Sequence, residues 1–196
     1  MAVETLERVA AALRRRGFDA VCCATRAEAA AHVMKLAEGA ATVGQGGSVT
    51  LKELGLPEAL AAVGKAPVRK ADVDLFLLSA NALTEDGRLV NIDGNGNRVA
   101  ASINGPRQVC YVVGRNKIVA GGVDDAIARI KRCACPPNCR RLGKKTPCAA
   151  TGVCADCDSP DRICKVTVVF DRKPTGVACE VVLAPRHKAV PPYAPF

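Results

Sequence analysis

The stretch Val73-Asp-Leu-Phe-Leu-Leu-Ser-Ala-Asn-Ala-Leu-Thr-Glu-Asp-Gly-Arg-Leu-Val-Asn-Ile-Asp-Gly-Asn-Gly-Asn-Arg98 carries the reading of the fold. Val73 to Leu78 is a short apolar run ending in small polar residues, the pattern of a strand buried on both faces. Arg88 to Ile92 reads as another strand, followed by a glycine-asparagine loop and a helix from Arg98 to Ile103. A rival local reading makes Asn95-Gly-Asn a tight hairpin turn, with strand 88–92 antiparallel to its successor. Both readings stand on the sequence alone.

Outward from this stretch the alternation continues in both directions. Val3, Leu6, Val9 and Leu13 share one helical stripe that Gly17 stops. Asp19 to Ala24 is a short strand, and Thr25 is placed to cap a helix reaching about Glu38. Ala41 to Gly44 is a strand, and Ser48 is placed to cap a short helix ending near Leu54. Downstream, Val109 to Val113 is a buried strand and Asp124 to Arg132 a helix with Ile127 and Ile130 inward. Val166–Phe170 and Val177–Leu183 close the chain as two strands joined around Pro174 to Gly176. Strand–helix alternation over this length predicts an α/β fold, an open, mostly parallel layered sheet, with a C-terminal Cys-rich segment. The expected organisation is one domain over residues 1–183, including the Cys-rich segment 133–164, and a Pro-rich tail at 184–196.

Composition narrows the class. Apolar residues make up 49% of the chain and aromatics only 3%, so the core is built from aliphatic side chains. No window approaches the roughly 20 apolar residues of a membrane span. Met1 to Phe18 is interrupted by Glu4 and Glu7 and is no export signal, so a cytoplasmic location is expected. The net charge of +9 is uneven: Lys131, Arg132, Arg140, Arg141, Lys144 and Lys145 fall in one stretch without an acid. No nucleic-acid module and no aromatic stacking platform accompany that patch, which argues against a nucleic-acid partner. Offsetting a thiolate-bound metal, or attracting an acidic partner, are the readings left.

Seven of the eleven cysteines lie between Cys133 and Cys164. In a reducing compartment such clustering points to metal or redox work. Cys148, Cys154, Cys157 and Cys164 form C-x5-C-x2-C-x6-C, and four thiolates meet the demand of an iron–sulfur cluster or of tetrahedral zinc. The spacing lacks the second C-x2-C knuckle of a structural zinc site and the compact ferredoxin run, so both remain open, with the cluster favoured. Pro147 and Pro160 suggest an irregular ligand loop, and Cys133, Cys135 and Cys139 form a looser second group. Cys22, Cys23, Cys110 and Cys179 sit in apolar runs and read as small core residues.

Two glycine loops are candidate ligand sites. Gly46, Gly47 and Ser48 lie between a strand and a helix, where free amides favour an anion. Asp93, Asn95, Gly96, Asn97 and Arg98 form the second loop. Asn81 follows the Val73–Leu78 strand and Lys117 follows the Val109–Val113 strand. In a parallel sheet such strand ends share one edge, where open α/β sheets bind ligands. A small organic anion bearing carboxylate or phosphate is the expected occupant. Glu85 is the candidate general base or nucleophile. His32 reads as helix packing and His187 as tail.

Gly-Gly-Ser-Val-Thr-Leu-Lys-Glu-Leu-Gly-Leu at 46–56, Asn-Ala-Leu-Thr-Glu-Asp-Gly-Arg-Leu-Val-Asn at 81–91 and Val-Val-Gly-Arg-Asn-Lys-Ile-Val at 112–119 resemble the motifs of LUD-domain (lactate utilization) proteins. The run from Thr146-Pro-Cys to Cys164 is similar to the Cys-rich end of one branch of that family. The resemblance implies a fold like that of the ribose-5-phosphate isomerase, CoA-transferase and formyltetrahydrofolate cyclo-ligase group. It also implies an accessory or electron-transfer role in oxidation of L-lactate or a related hydroxy acid, beside iron–sulfur or oxidoreductase protein partners. An enzyme acting on a phosphorylated, CoA-linked or folate-type substrate with structural zinc is the second expectation. A scaffold or interaction protein using the basic patch is the third.

Overall fold

The computed structural model describes residues 2–185; the Pro-rich tail and His187 lie outside the described residues. In chain order the strands are β1 (Asp19–Cys22), β2 (Val43–Gln45), β3 (Leu75–Leu78), β4 (Ala82–Thr84), β5 (Leu89–Asp93), β6 (Gln108–Gly114), β7 (Ile118–Val119), β8 (Val166–Phe170) and β9 (Ala178–Ala184). The helices are α1 (Ala2–Arg15), α2 (Arg26–Glu38), α3 (Val49–Glu53), α4 (Leu56–Ala62), α5 (Asn97–Ala101), α6 (Val123–Arg129), α7 (Cys135–Arg141) and α8 (Pro147–Thr151). A π-helical turn, Ile130–Ala134, joins α6 to α7 without a break.

Five strands form an all-parallel sheet in the order β1-β9-β6-β3-β2. Alternation along each strand divides its side chains between two cores. Phe76, Leu78, Val109, Tyr111, Val113, Val181 and Leu183 pack with Leu6, Val9 and Leu13 of α1. Leu75, Leu77, Cys110, Val112 and Val182 pack with Ala29 and Val33 of α2, Leu51 of α3 and Leu56 and Leu60 of α4. Burial on both faces is the reason these strands read as unbroken apolar runs rather than alternating ones. The expected caps form: Thr25 Oγ1 accepts from Glu28 N at 3.1 Å, and Ser48 Oγ from Leu51 N at 3.3 Å.

The remaining strands form a second, mixed sheet, β7-β4-β5-β8. Strand 88–92 therefore leaves the parallel sheet and runs antiparallel to β4 and β8. The turn responsible is at Asp86-Gly87 rather than at the Asn-Gly-Asn loop. Gly87 has φ +91°, and Thr84 Oγ1 accepts from Arg88 N at 2.9 Å. The Asn-Gly-Asn loop connects β5 to α5. Asp93 Oδ1 accepts from Asn95 N and Gly96 N, both at 3.3 Å, and so folds the loop around its own carboxylate.

A third core joins the second sheet to the Cys-rich segment. Ala82, Val90 and Ile92 pack with Ala126, Ile130 and Cys135, and Cys164 lies against them. The irregular loop expected around Pro147 is instead helix α8. Pro147 occupies its first turn, where the missing N–H has no intrahelical partner to lose.

Candidate functional site

Because β2, β3 and β6 are parallel neighbours in register, their C-terminal ends lie side by side. The loops leaving them, around Ser48, Ser79 to Asn81, and Asn116 to Lys117, line a cavity of about 760 Å³. The loop after β5 contributes Asp93, Asn95, Asn97 and Arg98 to the same wall. The opposite wall comes from the α6–α7 helix, through Arg129, Cys133, Cys135 and Arg141.

The structure brings Gly47, Ser48, Asn81, Asp93, Asn95, Asn97, Arg98 and Lys117 to this cavity. Gly46 and Gly96 stand behind the wall. A Cβ on Gly46 would sit 2.9 Å from Arg98 Cγ, so glycine lets the arginine stem pass. The structure does not bring Glu85 to the cavity. It lies beyond β4, where its Oε2 accepts from Arg8 at 3.0 Å, and it plays no part in a pocket at the strand ends.

Arg98 was expected to meet the ligand, but its guanidinium is consumed by the protein. Nε donates to Asp93 Oδ2 at 3.3 Å, Nη1 to Ser79 O and Asn91 Oδ1, and Nη2 to Asn81 Oδ1 and Ile92 O. With five N–H groups directed to five acceptors, Arg98 ties the β3 end to the β5 loop. It still contributes positive charge, which Asp93 offsets.

Lys117 is another cation of the cavity lining. Its Nζ donates to Ser79 Oγ at 2.7 Å and Thr50 Oγ1 at 3.0 Å. Loss of hydration, then the neighbouring charges of Arg129 and Arg98, lower its pKa from 10.5 to about 7. Arg129 donates Nη1 to Asn81 O at 2.8 Å and Nη2 to Asn116 O at 2.7 Å, leaving the rest of the guanidinium for a ligand. Asn116 Oδ1 is buried and has no hydrogen-bond partner among the described residues. Arg129, Thr50 and the cysteines of this wall were not read from the sequence as pocket residues. The signal available for Arg129 was its place on the same helix as the inward Ile127 and Ile130.

The cysteines converge differently from their spacing. Cys135, Cys139 and Cys148 are buried. Burial first, and then the neighbouring Cys164, Cys154, Cys139 and Cys148, push the Cys135 thiol up to about 12. Cys139 is raised too, by burial first and by Cys148 and Cys164 among its neighbours. Thr146 Oγ1 lies 3.4 Å from Cys148 Sγ. Of the four expected ligands, Cys148, Cys154 and Cys164 are near enough to act on Cys135, as is Cys139. Cys157 offers its carbonyl to Arg162 at 2.8 Å and is not among the thiols acting on Cys135 or Cys139. Among the described residues no three Cys, His, Asp or Glu side chains already hold the geometry of metal ligands. In donor chemistry the thiols fit a soft metal centre.

The basic patch is partly neutralised by the segment that follows it. Asp156 pairs with Lys131 at 3.1 Å and Arg162 at 2.9 Å, and Asp161 with Lys144 at 3.8 Å. Cys23, Cys110 and Cys179 are buried among aliphatic side chains, as expected. His32 does more than pack: its Nε2 is 2.6 Å from Glu180 Oε1.

An open α/β scaffold with a cationic cleft at its strand ends and a thiol-rich lobe beside it defines the class. The LUD domain family profile matches residues 6–183, and the chain belongs to that family. A crystal structure of a DUF162 family protein from Deinococcus radiodurans shares the fold at a TM-score of 0.56 and 15% identity. The alignment covers 94% of this chain and 98% of that one. No curated protein matches the chain. Among the described residues no helix is long and apolar enough to cross a membrane.

Proposed function

We propose that this lactate-utilization-type protein is an accessory or electron-transfer component of L-lactate or related hydroxy-acid oxidation. An organic anion occupies the cleft, and a thiolate-bound iron–sulfur cluster occupies the Cys-rich lobe. The observation supporting this is that one cavity is lined both by the cations Lys117 and Arg129 and by the thiols Cys133 and Cys135. Cys135, Cys139, Cys148, Cys154 and Cys164 are the residues that would hold the cluster. When bound, such a cluster supplies one-electron transfer. The chain's own residues bind and orient the anion, through Arg129 and Lys117, and the cationic wall offsets negative charge in the lobe.

Anaerobic purification with iron, acid-labile sulfide and visible-absorbance measurements tests this reading. Brown protein with iron and sulfide in comparable amounts, and heat on titration with lactate or pyruvate, is the expected result. Colourless protein with stoichiometric zinc removes the electron-transfer role.

The cavity volume favours a second reading. At about 760 Å³ it greatly exceeds a three-carbon acid and suits a CoA-linked, phosphorylated or folate-type substrate, with the metal, as zinc, purely structural. Thermal shifts with acyl-CoA, sugar phosphates or folates, lost in Lys117→Ala or Arg129→Ala, support it. Silence across that panel counts against it.

A further inference from the structure

Lys117 Nζ is bonded to Cε and donates to the hydroxyls of Thr50 and Ser79. Ser79 Oγ donates in turn to Val112 O at 2.5 Å, which turns its lone pairs toward the amine. A tetrahedral nitrogen so held has one position left. In the ammonium form that position carries a third proton; in the amine it carries the lone pair. No carboxylate hydrogen-bonds to Nζ among the described residues, and Glu53, whose charge favours the ammonium, acts less strongly than the burial and guanidiniums that oppose it. Burial and the flanking guanidiniums of Arg129 and Arg98 favour the amine, the arrangement that turns a lysine into a nucleophile. The nitrogen lines a cavity large enough to admit a substrate. Arg129 spends one N–H on Asn81 O and one on Asn116 O and keeps its other donors for a carboxylate.

We propose that Lys117 is a carbonyl-capturing residue, whose Nζ forms an imine with a 2-oxo carboxylate held in the cleft by Arg129. The nitrogen lone pair bonds to the carbonyl carbon and gives a carbinolamine. Both amine protons pass to the former carbonyl oxygen, which leaves as water, and C=N replaces C=O. No electrons are exchanged and no co-reactant is consumed. Thr50 and Ser79 hold the nitrogen in place. A 2-oxo acid is the product class of hydroxy-acid oxidation, so this inference rests on the reading that the cleft binds an organic anion.

The test uses the full chain with pyruvate as probe and sodium cyanoborohydride as trap, followed by intact mass and peptide mapping. One reduced adduct per chain, on the peptide bearing Lys117 and absent when pyruvate is omitted, is expected. Lys117→Arg abolishes it, while Thr50→Val, which keeps the amine, slows it. No adduct at Lys117 in the wild-type chain, or modification confined to other lysines, overturns the inference, and peptide mapping of the wild type decides this even if a variant fails to fold. Calorimetry with lactate and pyruvate on the same sample separates the two readings. Heat of binding without an adduct leaves the anion site and removes the imine. An adduct in iron-free protein keeps the imine and removes the electron-transfer role.

Discussion

Arg98 lies against Asp93 with Nε 3.3 Å from Oδ2, both side chains almost out of solvent at 13% and 10% exposure. The pair locks the end of β5 to the end of β3, because the same guanidinium also reaches Ser79 O and Asn81 Oδ1. Arg98→Ala removes the counter-charge of a nearly buried carboxylate, which keeps only the Asn95 and Gly96 amides, and takes a donor from each of the other acceptors. Breaking a buried pair in this way costs about 3–5 kcal/mol. Denaturant unfolding of Arg98→Ala should show a loss of that order. A change within about 0.5 kcal/mol, the range of ordinary surface substitutions, would show that the network contributes little.

Lys117 makes stability depend on pH in a direction opposite to that of a paired lysine. Its folded pKa is about 7 against an ordinary 10.5, so between those values the unfolded chain binds more protons than the folded one. Stability attributable to this residue therefore rises as pH rises through that window. The charged neighbours acting on it are Arg129, Arg98 and Glu53. Lys117→Met should be stabilised relative to wild type below pH 7, with the difference shrinking toward pH 10.5. A pH-independent difference contradicts the assignment of a neutralised amine.

Cys135 and Cys139 are one helical turn apart on α7 and face Cys148 and Cys164. On the cluster reading, Cys135→Ser or Cys139→Ser should remove most bound iron, and Cys157→Ser the least. Iron and sulfide analysis of the three variants checks this. The reverse order would return the ligand set to the C-x2-C pair.

Gly87→Ala tests the hairpin that turns β5 out of the parallel sheet. Its φ of +91° disfavours a side chain, and a Cβ would lie 2.8 Å from Ala12 C and Leu13 N in α1. Strain and overpacking of this kind each cost about 1–3 kcal/mol. Thermal unfolding should show a clear drop in Tm, and an unchanged Tm would mean that α1 yields at no cost.

The main sheet was legible because its strands are buried twice over: Leu75–Leu78 and Val109–Val113 can be little else, and Thr25 and Ser48 mark their helices through hydroxyls that act within a single turn. The Asn-Gly-Asn loop is the strand-to-helix connection read there, and its hairpin rival falls away. The hairpin at Asp86-Gly87 went unread because Glu85 and Asp86 read as part of a polar strand end. Glu85 looked functional from its company in a polar run; only Arg8, 77 residues earlier, reveals where it goes. Arg98 was found but given the wrong work, since a count of its acceptors requires β3, β5 and Asn91 in place. The cysteines were grouped by the short chelating spacing Cys154-x2-Cys157, whereas α7 sets Cys135 and Cys139 on one helical face and tertiary packing supplies Cys148.

Among the described residues, strand β9 follows every other strand in the sequence, yet it sits between β1 and β6 and is the sole strand neighbour of β1. During translation β1 must wait for residues near 180 to leave the ribosome before it gains a partner. Until then β1 and β6 each present an unpaired edge, the feature through which incomplete chains pair with one another.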